Sequence, residues 1–409
     1  MSRPLARQED FHATRHMFFP PTSQFHPADF TEEKNGRLIK TQRDYWAFLP
    51  NPLPPQLTLS WDLVNQLSEA DRALSELAGT ARMLPNPHLL IGPFIRREAI
   101  LSSRIEGTQA SLSDLLFFEA SGSVDPKAPD AREVANYVKA MEYGLVRLKK
   151  FPLSLRFIRE VHEHLMHDVR GEHLTPGEFR RSQNWIGPDR CTLMDATYVP
   201  PPVEDMEQAL GQFEAYVHAS SSVPLLIRLA AIHYQFEAIH PFLDGNGRIG
   251  RLLITLLLCK EGALPEPLLY LSAYFERYRN EYYRLLLAVS QSGKWIDWIS
   301  FFLRGVAEQS RDALVRSDRL LQLWKNYRGE FQSARSSALQ LRLVDQLFAY
   351  PAITANQAAK LLKVTHRSAQ LNIEKLIRKG ILKEATGKQR NRVFIAPHIV
   401  KIIEATHAS

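Results

Sequence analysis

Residues 240–251 combine side chains that could do chemistry on a phosphate. The segment reads His-Pro-Phe-Leu-Asp-Gly-Asn-Gly-Arg-Ile-Gly-Arg and lies between two apolar stretches of helical spacing. His240, with an unperturbed pKa of about 6.5, can accept a proton from a hydroxyl at neutral pH. Asp244 offers the kind of hard oxygen ligand that Mg²⁺ prefers. The segment therefore pairs a candidate general base with a candidate metal ligand.

The glycines and arginines of this segment favour an anion. Gly245 and Gly247 permit backbone conformations that turn successive N–H groups toward one point. A helix expected to begin near Asn246 adds its positive N-terminal end. Arg248 and Arg251, three residues apart, project from one edge of that helix. The pattern predicts a cradle for a phosphate chain beside the base and the metal ligand.

An EF-hand, a P-loop and a plain turn are other interpretations of this loop, and they agree with its sequence to different degrees. An EF-hand requires a bidentate Glu at loop position twelve counted from Asp244, where Thr255 stands. A P-loop requires a Gly-Lys-Ser/Thr sequence, which is missing here. A plain turn between two packed helices would carry Asp-Gly-Asn-Gly equally well, with the arginines in solvent. The four central residues alone therefore leave the plain turn open.

The twelve residues together resemble the signature of the Fic family, His-Pro-Phe-x-Asp/Glu-Gly-Asn-Gly-Arg-x-x-Arg, at every fixed position. The resemblance extends from about residue 94 to about residue 303. It implies a helical catalytic domain that transfers AMP from ATP to a Ser, Thr or Tyr hydroxyl of a protein.

The resemblance also implies roles for the matching residues. His240 would deprotonate the target hydroxyl, whose oxygen attacks the α-phosphate while pyrophosphate leaves. Asp244 would bind Mg²⁺ as well as ATP, and Arg251 would hold the γ-phosphate. The remaining ATP-binding positions of the segment are Gly245, Asn246, Gly247, Arg248, Ile249 and Gly250.

The segment Ser102-Ser-Arg-Ile-Glu106-Gly107 resembles the inhibitory pattern of the same family, Ser/Thr-x-x-x-Glu-Gly/Asn. Ser102 and Glu106 fall on one helix face, and Gly107 is the residue type that ends a helix in a left-handed cap. A carboxylate paired with Arg251 would take the place of the γ-phosphate, so ATP could bind only in a misaligned pose. Glu106 is therefore also an expected ATP-site residue. An ordinary surface Glu before a capping Gly would leave the same pattern.

Two further segments are candidate parts of the nucleotide site. Residues 182–189, followed by 196–199, predict two short strands joined by a Gly-Pro-Asp turn. This hairpin resembles the family's flap, which covers the nucleotide and aligns the target by strand addition. The flap residues expected to contact ATP are Asn184, Trp185, Ile186 and Gly187. Tyr282 and Tyr283 resemble a tyrosine pair that lines the pocket, although tyrosines on an apolar helix also serve as core.

Apolar residues at helix spacing predict the elements that position these groups. The stretches are residues 57–84, 95–105, 134–148, 155–169, 206–217, 225–239 and 252–258. Helical character resumes at residues 295–303 and continues along a charged stretch to about residue 335. The expected fold is all-α, with the motif loop between two helices and one small β-hairpin as the flap.

Composition shifts predict four regions. Residues 1–56, rich in Pro and Phe, predict an N-terminal arm with little regular structure. Residues 57–150 would form a helical region with the inhibitory helix, 151–335 the Fic catalytic domain with a linker helix, and 336–409 a winged helix-turn-helix domain. The last prediction comes from a Thr354-capped helix at 355–362, a helix at 367–378 and a strand pair around Gly387.

Charge is concentrated at the C-terminal end. The chain carries a formal charge of +7, and residues 338–409 hold twelve Lys and Arg against four Asp and Glu. The basic residues expected to meet the phosphates of DNA are Arg367, Lys375, Arg378, Lys379, Lys388, Arg390 and Arg392. Winged helices also serve in protein docking and dimerisation, so DNA and a homodimer both stay open as partners.

Cysteine use and hydropathy indicate the compartment. Two cysteines, Cys191 and Cys259, cannot build a disulfide framework and fit a reducing cytosol. The N-terminus lacks the apolar core of a signal peptide, and the most apolar stretch, 252–259, is far shorter than the roughly 20 residues of a membrane span. We therefore expect a soluble, cytoplasmic protein without a membrane partner.

These observations predict a protein adenylyltransferase that uses Mg²⁺ and ATP, modifies a protein and in some cases itself, and is inhibited at rest by Glu106. One alternative is removal of AMP, with Glu106 positioning a water. Another is a transcription regulator in which the Fic site senses a nucleotide while residues 338–409 bind DNA.

Overall fold

The computed structural model describes residues 12–14, 25–31, 35–82, 87–124, 128–169, 174–188, 190–331, 338–387 and 392–405. The chain divides into two compact units. The first unit comprises residues 1–65, 150–253 and 278–303, and the second comprises residues 66–149, 254–277 and 304–409. Each unit is built from separate stretches of chain, and the four boundaries expected from composition stay predictions.

Helices dominate the described residues, as the sequence predicts. They are α1 Trp61–Arg82, α2 His88–Ile105, α3 Leu112–Ser121, α4 Ala131–Leu148, α5 Leu155–Met166, α6 Val203–His218, α7 Leu225–Ile239, α8 Asn246–Lys260, α9 Ser272–Arg277, α10 Arg279–Ser292, α11 Trp295–Gly329, α12 Ala338–Ala349, α13 Ala355–Leu362, α14 His366–Arg378 and α15 Pro397–Glu404. None of them, within the ranges described, is both long and apolar enough to cross a membrane.

Seven short strands accompany the helices in the described part of the chain. They are β1 His12–Thr14, β2 Gly36–Lys40, β3 Trp46–Pro50, β4 Asn184–Ile186, β5 Ala352–Thr354, β6 Lys383–Glu384 and β7 Val393–Ile395. Strands β1 and β4 pair in parallel, β2 and β3 pair antiparallel, and the third sheet has the order β5-β7-β6 with antiparallel neighbours.

The first unit is organised around α7. Every residue of this helix after the first is buried, which is the pattern of a helix surrounded on all sides. Helices α6 and α10 and strand β3 pack against it. Trp298 of α11 donates its indole N–H to the carbonyl of Ala230 on α7 over 2.9 Å, and the hydroxyls of Tyr234 and Ser290 lie 2.8 Å apart. These two contacts tie the first half and the middle of α7 to α11 and α10.

The second unit packs α2 against α4, α9, α12 and α15. Local sequence explains several of its helix ends. Ser111 and Asp114 form a capping box at the start of α3, and Thr354 and Gln357 form one at the start of α13. Thr365 caps α14.

One prediction about the N-terminal arm is wrong. Residues 36–50 form an antiparallel hairpin in which Leu38 opposes Phe48, rather than an irregular segment. Ala47 and Phe48 are buried, and the Phe48 N–H donates to the Val199 carbonyl over 2.9 Å. The densest proline run of the arm, residues 50–55, begins where β3 ends, so it terminates the hairpin instead of preventing it.

The C-terminal residues contain the elements predicted from their sequence, α13, α14 and the pair β6 and β7, together with α12, β5 and α15. Lys363 ends α13 in a left-handed conformation with φ of 57°. Among the basic residues expected on the wing, Lys388 and Arg390 lie outside the described residues. The winged-helix assignment stays a prediction.

Candidate functional site

His240 ends α7 in a left-handed conformation, with φ of 50° and ψ of 60°. Its backbone N–H donates to the carbonyl of Phe236 over 3.0 Å. A left-handed residue at this place reverses the chain at once. The imidazole therefore leaves the helix end at a defined angle, and the motif loop starts directly at the buried end of α7.

The His240 ring is 1% exposed and its protonation state follows from its contacts. Nδ1 lies 3.2 Å from the carbonyl of Glu237. A carbonyl only accepts, so Nδ1 carries the hydrogen. Nε2 then has a free lone pair, and it has no hydrogen-bond partner among the described residues. Burial, with a smaller contribution from Arg180, lowers the pKa of His240 to about 3 against the opposing influence of the Glu237 carbonyl and Asp244. The ring is neutral, as a general base must be.

Two asparagines hold the motif loop by contacts with its backbone. Asn246 accepts the Phe242 N–H at Oδ1 and donates from Nδ2 to the Phe242 carbonyl, each over 2.8 Å. Asn184 of β4 donates from Nδ2 to the carbonyls of Phe242, at 2.8 Å, and His240, at 3.2 Å. Both side chains were expected to contact ATP, and their amide groups here shape the loop.

Arg180 is a loop-holding residue that sequence reasoning did not select. It is buried and donates from Nε to the His240 carbonyl over 3.1 Å and from Nη1 to the Ser182 carbonyl over 3.3 Å. Its Nη2 group donates to the Pro201 carbonyl. Burial lowers the pKa of Arg180 to about 10, which still leaves it charged at neutral pH.

His162 of α5 is a second residue that sequence reasoning missed. Its ring stacks on Phe242, with centroids 3.7 Å apart and planes 2° from parallel. Nδ1 accepts the Gly177 N–H over 2.9 Å, so Nε2 carries the hydrogen that it donates to the Asp244 carbonyl over 3.0 Å. Burial lowers the pKa of His162 to about 4. A neutral His162 with a fixed tautomer therefore holds the Asp244 carbonyl of the motif loop in place.

Asp244 uses one carboxylate oxygen inside the loop. Oδ1 accepts the Gly245 N–H over 2.6 Å and lies 3.4 Å from Nη2 of Arg248. Oδ2 makes no hydrogen bond or ion pair with a described residue. No group of three or more His, Cys, Asp and Glu able to hold a metal occurs in the described part of the chain. A single partly exposed carboxylate fits Mg²⁺ that takes its other ligands from phosphates and water.

Three glycines of the site stand where a side chain would not fit. Gly245 has φ of +79°, and a Cβ there would lie 3.1 Å from Sδ of Met166. A Cβ on Gly250 would lie 2.3 Å from Oε1 of Glu237, and one on Gly187 would lie 2.6 Å from Sγ of Cys191. Gly245 and Gly250 thus allow α8 to begin close against α5 and α7. Arg248, Ile249 and Arg251 are buried in the first turns of α8.

The predicted flap is reduced to a single antiparallel bridge between Ile186 and Tyr198. The turn residue Asp189 lies outside the described residues, and a 3-10 turn spans Leu193–Asp195. Trp185 is buried with Ala47, Ala196 and Val199, so its ring is a core group of the first unit. Tyr198 anchors the bridge to α7 by donating its hydroxyl to the Ala238 carbonyl over 2.9 Å.

Tyr282 and Tyr283 are both buried in α10. The Tyr282 hydroxyl lies 2.8 Å from Nε2 of His233, and its ring lies 6.0 Å from that of Trp298. Burial lowers the pKa of His233 to about 3. These contacts give Tyr282 a packing role, and a contact of either tyrosine with a nucleotide stays a prediction.

The inhibitory segment lies in the second unit at the end of α2. Glu106 is the C-cap, and Gly107 has φ of +93°, which confirms the predicted left-handed cap. The Gly107 N–H donates to the Arg104 carbonyl over 2.9 Å, and the Thr108 N–H donates to the Ser103 carbonyl over 3.2 Å. Ser102 is buried and Glu106 is half-buried. The role of Glu106 toward Arg251 stays a prediction.

Comparison with known proteins agrees with the motif. The profile described as Fic/DOC family N-terminal matches residues 64–146, and the profile described as Fic/DOC family matches residues 152–258. The second match contains the whole segment 240–251, and the first contains the segment 102–107.

Relatives support the same assignment. Protein adenylyltransferase Fic of Drosophila yakuba is 30% identical over 215 residues, which is 51% of this chain and 39% of that protein. The protein of the same name from Culex quinquefasciatus is 33% identical over 168 residues, 39% of this chain and 31% of its own length. The alignments thus span less than half of these relatives.

A solved structure shares the fold. The crystal structure of a Fic family protein from Desulfovibrio desulfuricans G20 superposes with a TM-score of 0.54 at 18% identity, over 84% of this chain and 98% of that chain. Two family profiles matched in sequence order and a complete signature lead to one conclusion: the chain contains a Fic/DOC N-terminal domain and a Fic/DOC domain.

Proposed function

We propose that this protein transfers AMP from Mg-ATP to a Ser, Thr or Tyr hydroxyl of a protein and is inhibited by Glu106. The state of His240 is the observation that supports this most directly. Its buried ring is neutral, its Nδ1 hydrogen is donated to the Glu237 carbonyl, and Nε2 has no partner among the described residues. Such a nitrogen is ready to accept a proton.

The reaction requires little covalent chemistry from the protein. The target hydroxyl gives its proton to Nε2 of His240 as its oxygen bonds to the α-phosphorus. The bond from the α-phosphorus to the bridging oxygen breaks, and pyrophosphate leaves with those electrons. Mg²⁺ bound through Asp244 and phosphate oxygens would neutralise charge on the leaving group. Arg248, Arg251 and the N-terminus of α8 orient the phosphates, so positioning and charge stabilisation account for most of the rate.

Negative charge on the bound phosphates also bears on His240. A buried imidazolium is unfavourable, which is why the pKa of the ring lies so low. Phosphates nearby favour the charged form and raise that pKa when the co-substrate binds. The base therefore gains strength when ATP and the target are both present.

Glu106 provides the inhibition in this proposal. Its carboxylate pairs with Arg251 and takes the place of the γ-phosphate. ATP then binds with its α-phosphate turned away from the incoming hydroxyl. Removing Glu106 should therefore raise the rate more than the affinity.

Incubation with ATP labelled at the α-phosphate, with Mg²⁺, tests the proposal on the full chain. We expect weak labelling of protein by the parent, much stronger labelling by Glu106→Gly, and none by Glu106→Gly combined with His240→Ala. If the Glu106→Gly variant labels protein no more strongly than the parent does, Glu106 is not inhibitory. Release of label from a pre-modified protein, with no transfer, would favour AMP removal in which Glu106 positions a water.

A second activity, nucleic-acid binding by α14, is favoured by one observation. Arg367, Lys375 and Arg378 are all exposed on this helix, whereas Lys379 pairs with Glu330 over 2.7 Å. Arg392 lies over the ring of Phe394. If α14 meets phosphates, retention of duplex DNA by the full chain falls as salt rises, and Lys375→Ala weakens it. No retention at low salt would favour a protein-docking or dimerisation role for residues 338–409.

A further inference from the structure

Arg96 is a buried cation in α2, ten residues before Glu106 on the same helix. Its side chain is 1% exposed. Nε donates to Oε2 of Glu119 over 2.7 Å and Nη2 donates to Oε1 over 3.0 Å, a bidentate pair between α2 and α3. Nη1 donates to two carbonyls, those of Gly92 on its own helix and Ala349, each over 3.0 Å.

Through Ala349, Arg96 reaches the C-terminal end of α12. Ala349 is the last residue of that helix, so its carbonyl has no partner within the helix and carries part of the negative end of the helix dipole. The guanidinium also lies over the Tyr350 ring, 4.6 Å from its centroid. One side chain therefore joins α2, α3 and the first helix of the C-terminal residues.

The two backbones approach closely at this point. A Cβ on Gly92 would lie 2.3 Å from the Ala349 oxygen, so only glycine permits the contact. Any ordinary side chain at position 92 would push α12 away from α2. The contact is thus specific in shape as well as in charge.

Rigid helix geometry connects this contact with Glu106. Ten residues of α-helix span about 15 Å, and a helix transmits a tilt of one end to the other. Near Glu106 the end of α2 is held by backbone hydrogen bonds of the cap, from Gly107 and Thr108. The buried ion pair of Arg96, in the middle of α2, sets the direction of the half of the helix that leads to Glu106.

We propose that Arg96 is a positioning residue for Glu106, and that residues 338–349 help to inhibit AMP transfer by holding α2 through Arg96. The proposal rests on the proposed function, because it requires Glu106 to be inhibitory. Anything that pulls α12 from α2, including a ligand bound to the C-terminal residues, is then expected to raise activity.

Arg96→Gln tests this in the full chain. Glutamine keeps one donor but loses the charge and the bidentate pair. We expect labelling from α-labelled ATP to rise by about 2- to 30-fold, the range of coupling between distant positions, with a change in kcat larger than that in KM. Amide hydrogen exchange at residues 102–108 should become faster. Arg96→Lys, which keeps the charge, should rescue part of the effect.

Three comparisons separate positioning from general destabilisation. In a Glu106→Gly background Arg96→Gln should add nothing, because the group that it positions is gone. Arg328→Gln is a matched control, since Arg328 pairs with Asp345 of α12 over 2.7 Å on the side of α11; it should leave labelling unchanged. Gly92→Ala, which leaves the pair with Glu119 in place, should act like Arg96→Gln.

The outcomes are distinct. If Glu106→Gly activates while folded Arg96→Gln and Gly92→Ala do not, the positioning role is wrong and the proposed function stands. An equal rise in the Glu106→Gly background also overturns the positioning role. If Glu106→Gly does not raise activity, Glu106 is not inhibitory and the proposed function is wrong on that point. Amide hydrogen exchange at residues 102–108 in Arg96→Gln then still tests whether Arg96 holds the end of α2.

Discussion

In the first unit, Arg180 and Arg228 are held by backbone carbonyls, whereas in the second unit Arg96 and Arg316 pair with carboxylates as well as with carbonyls. Arg180 donates to three carbonyls around the motif loop, and Arg228 donates to those of Tyr216, Val217 and Ala219 at the end of α6. In the second unit Arg96 pairs with Glu119, and Arg316 pairs with Asp312 over 2.9 Å.

Histidines extend this contrast. His162, His233 and His240 are buried in the first unit with neutral rings. The motif loop is thus held largely by neutral groups that donate and accept, and α2 is held by a buried ion pair. A buried neutral histidine destabilises the fold when it becomes protonated. A buried ion pair destabilises the fold when one partner is removed. The two units should therefore respond to different perturbations.

The largest expected effect is loss of stability of the first unit in acid. The folded pKa values of His162, His233 and His240, about 4, 3 and 3, lie below the unfolded value of about 6.5. Between these values the unfolded chain binds more protons, so the free energy of unfolding falls as pH decreases below about 6.5. Each histidine contributes about 1.4 kcal/mol per pH unit.

Amide hydrogen exchange at pH 7.5, 6 and 5, corrected for the intrinsic exchange rate, measures the loss of stability separately in each unit. We expect protection to fall first in α5 and α7. The interaction that joins α2 and α3, Arg96 with Glu119, contains no histidine, so protection in α2 and α3 should fall less. Equal losses in both units would contradict the contrast between neutral and ionic interiors.

Next in size is the effect of His240→Ala on activity. Loss of a general base lowers a rate by about 10²- to 10⁴-fold, measured as labelling from α-labelled ATP in the Glu106→Gly background. Nucleotide binding should persist, because Asp244, Arg248 and Arg251 are untouched. The same variant should also lessen the acid sensitivity of the first unit, as one buried histidine is gone. If the double variant labels protein at nearly the rate of Glu106→Gly alone, His240 is not the general base.

The smallest expected effect comes from His162→Phe. Phenylalanine keeps a flat ring against Phe242 but leaves the Gly177 N–H and the Asp244 carbonyl without their partner. Each buried group left unsatisfied costs about 1 to 3 kcal/mol, so we expect a folded, less stable chain with a lower kcat.

His164→Phe serves as the control because His164 is exposed on the same helix. It should change kcat little. If His162→Phe matches this control in both thermal unfolding and kcat, His162 does not support the loop, and the first unit depends less on neutral histidines than proposed.

Short-range patterns were enough to predict much of this protein. The spacing of apolar residues predicted α7 at its observed limits, and Gly107 and Thr354 were correctly assigned to helix ends. These features depend on residues within four positions of one another, through capping, φ preference and helix periodicity. The motif at 240–251 is likewise contiguous, so the sequence alone indicated the family.

Tertiary structure decided how those residues are held and charged. The pKa of His240 depends on burial, which the packing of α6, β3 and α10 around α7 creates. Arg180 and Asn184 reach the His240 carbonyl across 60 and 56 residues of chain, and Arg96 reaches Ala349 across 253. The partner of a buried polar side chain cannot be predicted from sequence periodicity. It depends on which backbone N–H and carbonyl groups remain without a hydrogen bond once the helices and strands have packed. The sequence thus determined which groups could react, and only the fold determined their protonation, their orientation and what holds them in place.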